Sequence, residues 1–235
     1  MAGQLQLHAL FPCAVATVQL TLEPLHLAQQ LQTLFMLRGQ CEGNPADGCA
    51  WTGDLNGVWQ LHQHADFSDL AEVVTQQAWD YLAAVGFESS RVALHLQRCW
   101  PVLSDWDQVV GRHCHPNAHL SAVIYLTGRG SGEDGVLRIY DPFHANEIVP
   151  GLSVGHGGPI IENHPFNRQY WDLAPQPGLL VLFPSRLEHS VLPNYAAEEL
   201  RCSISFDFIL TASSQNDQAE YLAPHPSSWF ELHQR

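Results

Sequence analysis

Residues 113–126, HCHPNAHLSAVIYL, contain two histidines one residue apart, followed by a Pro-Asn step and a run of strand-forming residues. In an extended chain, residues i and i+2 project to the same face, so His113 and His115 can bind one metal ion together. Pro116 and the β-branched residues after it argue against a helix in which His115 and His119 would pair. The stretch therefore predicts a metal-binding strand.

Short strand-like segments separated by Gly, Pro and Asn turns fill the chain after residue 91. They cover residues 92–100, 120–126, 136–140, 178–183 and 201–210. Many short strands without intervening helices are typical of a sandwich or barrel. In a jelly roll an early strand lies beside a late one, so His189, just before a further short strand, can meet the histidine pair. We expect a mainly β protein with flanking α-helices and a jelly-roll core.

The first part of the chain predicts the supporting elements. Residues 5–22 alternate like one or two strands, and residues 24–37 carry apolar side chains at helical spacing. A second helix is predicted from Leu70 to Val85, with Asp66 or Ser68 as its N-cap. We expect a single domain, residues 1–235, divided into N-terminal strands and helices (1–98), a jelly-roll core (99–212) and a C-terminal tail (213–235). The tail could cover the barrel or mediate contacts in a homodimer.

Composition limits the classes of partner. The chain has 235 residues, of which 46% are hydrophobic, and a formal net charge of -14. This charge repels phosphate backbones and anionic lipid, so we expect neither nucleic acid nor membrane as a partner. The beginning of the sequence, MAGQLQLHAL, lacks a basic signal-peptide region, and six cysteines show no CxxC spacing. These features predict a cytoplasmic protein with reduced thiols, including Cys41 and Cys49, which bracket a turn-rich loop.

The histidines and one late strand suggest a specific chemistry. An Fe(II) site that activates oxygen needs a few protein ligands on one face, usually two histidines and a carboxylate. His113, His115 and His189 would supply three imidazoles. On a strand that begins at Arg201, the side chains of Arg201, Ser203 and Ser205 share one face. A guanidinium and a hydroxyl on that face suit the far carboxylate of a dicarboxylate cosubstrate.

Chance pairs of histidines are expected in a chain with 14 of them. His62 and His64 have the same spacing as His113 and His115, but they precede a helix and no strand follows. We interpret them as loop residues, because an isolated short motif is a weak signal.

Four motifs in combination resemble a bacterial and phage group of 2-oxoglutarate/Fe(II)-dependent oxygenases. They are HxHPNxxxSxxxYL at 113–126, the Asp141-Pro142 step, FPSxxxH ending at His189, and RxSIS from Arg201. LHALFPCAV at 7–15 resembles that group's opening strand, so the resemblance covers most of the chain. It implies a double-stranded β-helix (jelly-roll, cupin-like) fold with Fe(II) and 2-oxoglutarate as cofactors. The implied reaction uses molecular oxygen to oxidise a small molecule or a peptide side chain, with decarboxylation of 2-oxoglutarate to succinate.

The resemblance also implies roles for single residues. His113 matches the first metal histidine, His189 the distal one, and Arg201 with Ser203 the anchor for the 2-oxoglutarate carboxylate. Tyr125 and Asn117 are further candidates for contact with the cosubstrate.

One departure keeps alternatives open, because the wider superfamily has HxD or HxE where this chain has His113-Cys114-His115. Either His115 binds the metal, or a carboxylate such as Asp141 substitutes for it. A three-histidine cupin-type dioxygenase without 2-oxoglutarate, with Arg201 binding the substrate, is one alternative function. A non-catalytic jelly-roll protein holding Zn(II) or no metal is another. Residues 143–172 are expected to form a long loop beside the pocket mouth.

Overall fold

Two antiparallel β-sheets form the body of the protein in the computed structural model, which describes residues 5–6, 8–10, 12–41, 46–142, 160, 164–196, 200–215 and 222–232. The described strands are β1 (Ala16–Gln19), β2 (Trp51–Thr52), β3 (Val92–Ser104), β4 (Val110–His113), β5 (Leu120–Tyr125), β6 (Leu137–Tyr140), β7 (Tyr170–Leu173), β8 (Leu179–Pro184), β9 (His189–Val191) and β10 (Arg201–Ala212). The helices are α1 (Pro24–Gly39) and α2 (Ser68–Ala84).

The order of the strands confirms the jelly roll. The larger sheet runs β1-β8-β5-β10-β3-β2 and the smaller one β4-β9-β6-β7. From β4 onward the chain passes back and forth between the sheets, so β5 lies between β8 and β10, and β9 lies between β4 and β6. β3 crosses the predicted segment boundary at residue 98, and β1 and β2 extend the same sheet as the core strands.

The outer face of the larger sheet packs against the helices. Along β10, Ile204, Phe206 and Phe208 are buried in a cluster that also contains α2 residues such as Val74 and Ala78. Arg201, Ser203, Ser205 and Asp207 alternate with these residues and are also buried. Because successive side chains of a strand point to opposite faces, this second set lies on the inner face, between the two sheets. The outer face stabilises the fold, and the inner face is free to carry the site.

Two predicted segments agree only in part with the structure. Among the described residues of the expected strand at 5–22, residues 16–19 form a strand, and they pair with β8 at the edge of the sheet. β7 overlaps the end of the expected loop 143–172, because residues 170–173 pair with β6 from Leu137 to Tyr140. Residues 143–159 and 161–163 of that segment lie outside the described part of the chain.

The start of α2 also differs from the prediction. Phe67 occupies the N-cap position without a side-chain capping bond. The Asp66 carboxylate instead accepts hydrogen bonds from α1, at 2.6 Å from Thr33 Oγ1 and 2.7 Å from Gln29 Nε2. Asp66 therefore ties the two helices together, a tertiary contact that a local capping rule does not anticipate.

Gly178 offers a test of how β1 is attached to the larger sheet. Its φ is 82°, and an added Cβ would collide with the carbonyl of Leu20, whose N–H donates to Gly178 O at 2.8 Å. Gly57 has nearly the same φ, 81°, with nothing within 4 Å of an added Cβ. Both Gly→Ala variants should lose about 1–2 kcal/mol from the left-handed conformation. Gly178→Ala should lose about 1–3 kcal/mol more from overpacking. Denaturant unfolding measures the difference, and equal losses would contradict the predicted clash.

Candidate active site

Three histidines converge between the sheets. His113 is the last residue of β4 and pairs in register with His189, the first residue of β9. His115 lies beyond the end of β4, in the connection to β5, where its N–H donates to Ser185 O at 2.9 Å. One ligand atom from each of these three histidines lies within 4.8 Å of the other two. The structure thus brings together the predicted metal ligands, although His115 is held by the connection rather than by the strand.

The hydrogen bonds of the rings fix which nitrogen faces the centre. Nδ1 of His113 lies 2.7 Å from Gly111 O, and Nδ1 of His189 lies 2.9 Å from Leu187 O. A carbonyl oxygen only accepts, so in both neutral rings Nδ1 carries the proton and Nε2 keeps its lone pair. Nε2 of His115 lies 3.2 Å from Nε2 of His113. The three rings thus approach one another, and His113 and His189 offer Nε2 lone pairs there, which suits a metal cation.

Burial keeps two of these rings neutral. Burial, together with the neighbouring His113, lowers the pKa of His189 to about 3. Burial also lowers the pKa of His113, although its hydrogen bond to Gly111 opposes the change. Both imidazoles are therefore available as ligands at neutral pH without first losing a proton.

Asp207 completes the cluster and was not singled out from the sequence. It is fully buried, and its Oδ1 accepts from Nδ1 of His115 at 2.6 Å. Burial alone would raise its pKa, but the hydrogen bonds from His115, Ser121 and Arg98 outweigh burial and lower it. The signal was present, since the alternation that aligns Arg201 with Ser203 and Ser205 reaches Asp207 in one more step.

Asp141, the predicted substitute ligand, is not in the histidine group. The cluster of potential ligand atoms found in the described part of the chain consists of His113, His115 and His189. Asp141 follows β6, where its N–H donates to Gln169 O at 2.8 Å. The geometry therefore favours His115 as the third ligand.

A buried cation lies beside Tyr125. Arg201 is 2% exposed, and its Cζ is 5.0 Å from the centre of the Tyr125 ring. Arg201 Nε and Nη1 make no hydrogen bond to any described residue. Gly135 backs the side chain closely, since an added Cβ there would lie 2.6 Å from Arg201 Cδ. Burial raises the pKa of Tyr125, although the charge on Arg201 opposes that rise. A buried guanidinium with free N–H donors is built to receive an anion.

One cavity of about 470 Å³ joins the histidines to this cation. Its wall includes all three histidines, Arg201, Ser203 and Ser205. Tyr125, which pairs with Ser203 across the sheet, supports Arg201 but is not part of the wall. Asn117 does line the cavity, but it is exposed and precedes β5, at the opposite end of that strand from Tyr125.

The family comparison agrees with this arrangement. Residues 98–207 match the family model described as "Putative 2OG-Fe(II) oxygenase". Residues 98–207 therefore carry the domain of a 2OG-Fe(II) oxygenase. The matched segment of the oxygenase contains all three histidines, Arg201 and Ser203. Its cofactors are accordingly Fe(II) and 2-oxoglutarate, and the donor set fits them, with neutral nitrogens for the metal and a buried guanidinium for the dicarboxylate.

Solved structures share the fold of this oxygenase. A Pseudomonas putida prolyl-4-hydroxylase is 18% identical with a TM-score of 0.55, covering 84% of this chain and 92% of its own. The epimerase SnoN, in complex with Fe3+, alpha ketoglutarate and nogalamycin RO, is 15% identical with a TM-score of 0.58, covering 94% and 89%. A Trichoplax adhaerens prolyl hydroxylase in complex with a hypoxia inducible factor peptide is 15% identical with a TM-score of 0.54, covering 83% of each chain. No curated protein matches the oxygenase in sequence.

None of the helices in the described part of the chain is both long and apolar enough to cross a bilayer.

Proposed function

We propose that His113, His115 and His189 hold the Fe(II) of this oxygenase, and that Arg201 with Ser203 holds the far carboxylate of 2-oxoglutarate. The proposal depends above all on Arg201, whose buried guanidinium keeps two N–H groups without a partner among the described residues. When bound, Fe(II) and 2-oxoglutarate supply oxygen activation and oxidation of a substrate C–H bond, with release of carbon dioxide and succinate.

The three imidazoles bind and orient the metal through preset nitrogen atoms. Trp100 packs against His115 with ring centres 5.5 Å apart, and Phe183 packs against His189 at 5.0 Å. These contacts and the Nδ1 hydrogen bonds limit rotation of the rings before any metal arrives. Three protein ligands leave the remaining coordination positions open for small molecules.

Arg201 orients the cosubstrate by charge and shape. An unpaired buried ion costs several kcal/mol, and a carboxylate that forks onto the guanidinium removes that cost. Val102, Leu137 and Val191 also line the cavity. Their apolar side chains exclude water, which strengthens an ion pair at this end. The Ser203 hydroxyl would add a further donor to the same carboxylate.

We infer that the substrate enters from the end of the cavity away from Arg201. Asp54, Arg112 and Asn117 line the cavity and offer polar contacts. A small molecule and a peptide side chain both remain suitable, since the fold is shared with proteins in complex with nogalamycin RO and with a peptide. Asn117 precedes β5, at the end of that strand away from Tyr125, so its position suits a contact with the substrate. Contact between Asn117 and 2-oxoglutarate stays a prediction.

The setting of the enzyme is also a proposal. The net charge of -14 supports a protein that acts on neither nucleic acid nor anionic membranes, and we propose that it is cytoplasmic. The described cysteines are free, as expected for a reducing compartment. A homodimer through the tail stays a prediction, with Trp229 and Phe230 as exposed apolar side chains that could take part.

Anaerobic spectroscopy tests the cofactor roles. Fe(II) added to the protein without oxygen, followed by 2-oxoglutarate, should produce a weak visible charge-transfer band that is absent with Fe(II) alone. Exposure to oxygen should then release succinate. A protein that binds Fe(II) but shows neither band nor succinate would contradict the assignment of Arg201.

A three-histidine dioxygenase without 2-oxoglutarate is the second candidate, favoured by the neutral charge of the three imidazole ligands. Oxygen uptake without succinate, in the presence of a small carboxylate substrate, would support it. A tightly bound zinc ion in freshly purified protein, together with no oxygen uptake, would instead indicate a non-catalytic protein.

A further inference from the structure

We propose that Asp207 is a positioning residue that supplies, through His115, the negative charge that a carboxylate ligand gives to related HxD sites. The inference rests on the proposed iron site. It concerns the departure at His115, where an imidazole stands in place of the carboxylate. The negative charge is then carried by Asp207, which bonds the ring of His115 and does not itself bind the metal.

Asp207 is fixed by three adjacent strands. It pairs in register with Ser121 of β5 on one side and with Arg98 of β3 on the other. Oδ1 accepts from Nδ1 of His115 at 2.6 Å and from Ser121 Oγ at 2.8 Å, and Oδ2 accepts from Arg98 Nη2 at 2.5 Å. The carboxylate is fully buried, so water does not screen its charge.

The anchor of His115 differs from those of the other two rings. His113 and His189 donate to the neutral carbonyls of Gly111 and Leu187. His115 donates to a carboxylate. An anionic acceptor draws the Nδ1 proton towards itself and increases electron density on the ring, which makes Nε2 a stronger donor to a cation. Of the three imidazoles, His115 should therefore bind the metal most strongly.

Arg98 does not cancel this charge completely. Its Nη1 also lies 3.5 Å from Asp54 Oδ2, so one cation is shared between two carboxylates. One guanidinium between two carboxylates gives the group of Asp54, Arg98 and Asp207 a formal charge of -1. An HxD carboxylate would contribute the same net charge, directly at the metal.

Asp207 could instead serve only to pair Arg98 and stabilise the sheet, and the two roles predict opposite effects of removing Arg98. If Asp207 acts on the metal site, Arg98→Gln removes the cation that partly neutralises the Asp207 carboxylate. The affinity for metal should then equal or exceed that of the wild type. If the ion pair only maintains the structure, Arg98→Gln and Asp207→Asn should weaken metal binding to a similar degree.

Co(II) titration of the full chain without 2-oxoglutarate, followed by visible absorption, measures the effect independently of turnover. Asp207→Asn should weaken Co(II) binding about 10- to 100-fold, the range typical of partners that hold metal ligands. Asp134→Asn is the matched control, because Asp134 is also buried but bonds the N–H of Arg129 rather than a histidine. Its affinity should stay within about threefold of the wild type, well below the range for such partners.

The outcomes separate the inference from the function on which it rests. Wild-type protein that binds no Co(II) would overturn the proposed metal site itself. Wild-type binding with an unchanged Asp207→Asn variant would overturn only the role of Asp207, as would equal weakening by Arg98→Gln. If Asp207→Asn does not fold, because Arg98 is left unpaired, the double variant Arg98→Gln/Asp207→Asn replaces it. Its Co(II) affinity should be as low as predicted for the single variant, and wild-type affinity would overturn the proposal.

Discussion

Replacement of His189 by alanine should strongly weaken metal binding and abolish turnover. The ligand cluster found among the described residues has three side chains. His189 comes from β9, whereas the other two come from β4 and the connection that follows it. Zinc sites with four protein ligands are stabilised by about 10–16 kcal/mol, which corresponds to roughly 2.5–4 kcal/mol for each ligand. Loss of one ligand should therefore weaken Fe(II) or Co(II) binding by on the order of 100- to 1000-fold. Equilibrium dialysis with metal analysis gives this number directly, and succinate release reports turnover.

The chain contains its own control for this experiment. His62 and His64 have the same i, i+2 spacing as His113 and His115, but His62 lies in a short 3-10 turn and His64 follows it. The double variant His62→Ala/His64→Ala should bind metal as well as the wild type. His113→Ala/His115→Ala should bind none. Metal loading that survives in His189→Ala, or that is lost in the His62/His64 variant, would show that the ion binds elsewhere.

The shared face of Arg201 and Ser203, the residues proposed to hold the cosubstrate, could be predicted from the sequence because it depends on a single strand. Period-two alternation places Arg201 and Ser203 on one face of β10 whatever the rest of the fold does. The same regularity explains why α2 was predicted nearly to its observed length, since its apolar positions keep helical spacing over several turns. Patterns confined to one element survive folding unchanged.

Features that depend on two elements could not be predicted in the same way. The role of Asp207 arises because β3 and β5 place Arg98 and Ser121 in register on either side of it. Asp66 is a plausible N-cap by local rules, but α1 lies close enough to take its carboxylate. Residues 170–173 form β7 because they pair with the edge strand β6. Across this pair, two nitrogens of Arg138 each donate to Asp172 at 2.7 Å. Each of these contacts joins residues at least 30 positions apart, beyond the reach of periodicity.

Arg201→Met should separate cosubstrate binding from metal binding. Methionine fills most of the volume of the arginine stem but cannot pair with a carboxylate. Truncating one partner of a buried, hydrogen-bonded ion pair costs about 2–5 kcal/mol, so the apparent KM for 2-oxoglutarate should rise at least about 30-fold. Co(II) affinity without 2-oxoglutarate should remain close to that of the wild type, because Arg201 bonds none of the three histidines.

Two further variants test whether fork geometry and charge both matter at this position. Arg201→Lys keeps the charge but loses the planar pair of donors, so it should restore only part of the lost affinity for 2-oxoglutarate. Ser203→Ala removes a neutral donor to the same carboxylate and should cost about 1.5–3 kcal/mol if that hydroxyl bonds the bound anion. Arg138→Met is the control, since Arg138 is paired with Asp172 and does not line the cavity. An Arg201→Met variant with an unchanged KM for 2-oxoglutarate would mean that the buried guanidinium holds the substrate instead, as in the three-histidine dioxygenase alternative.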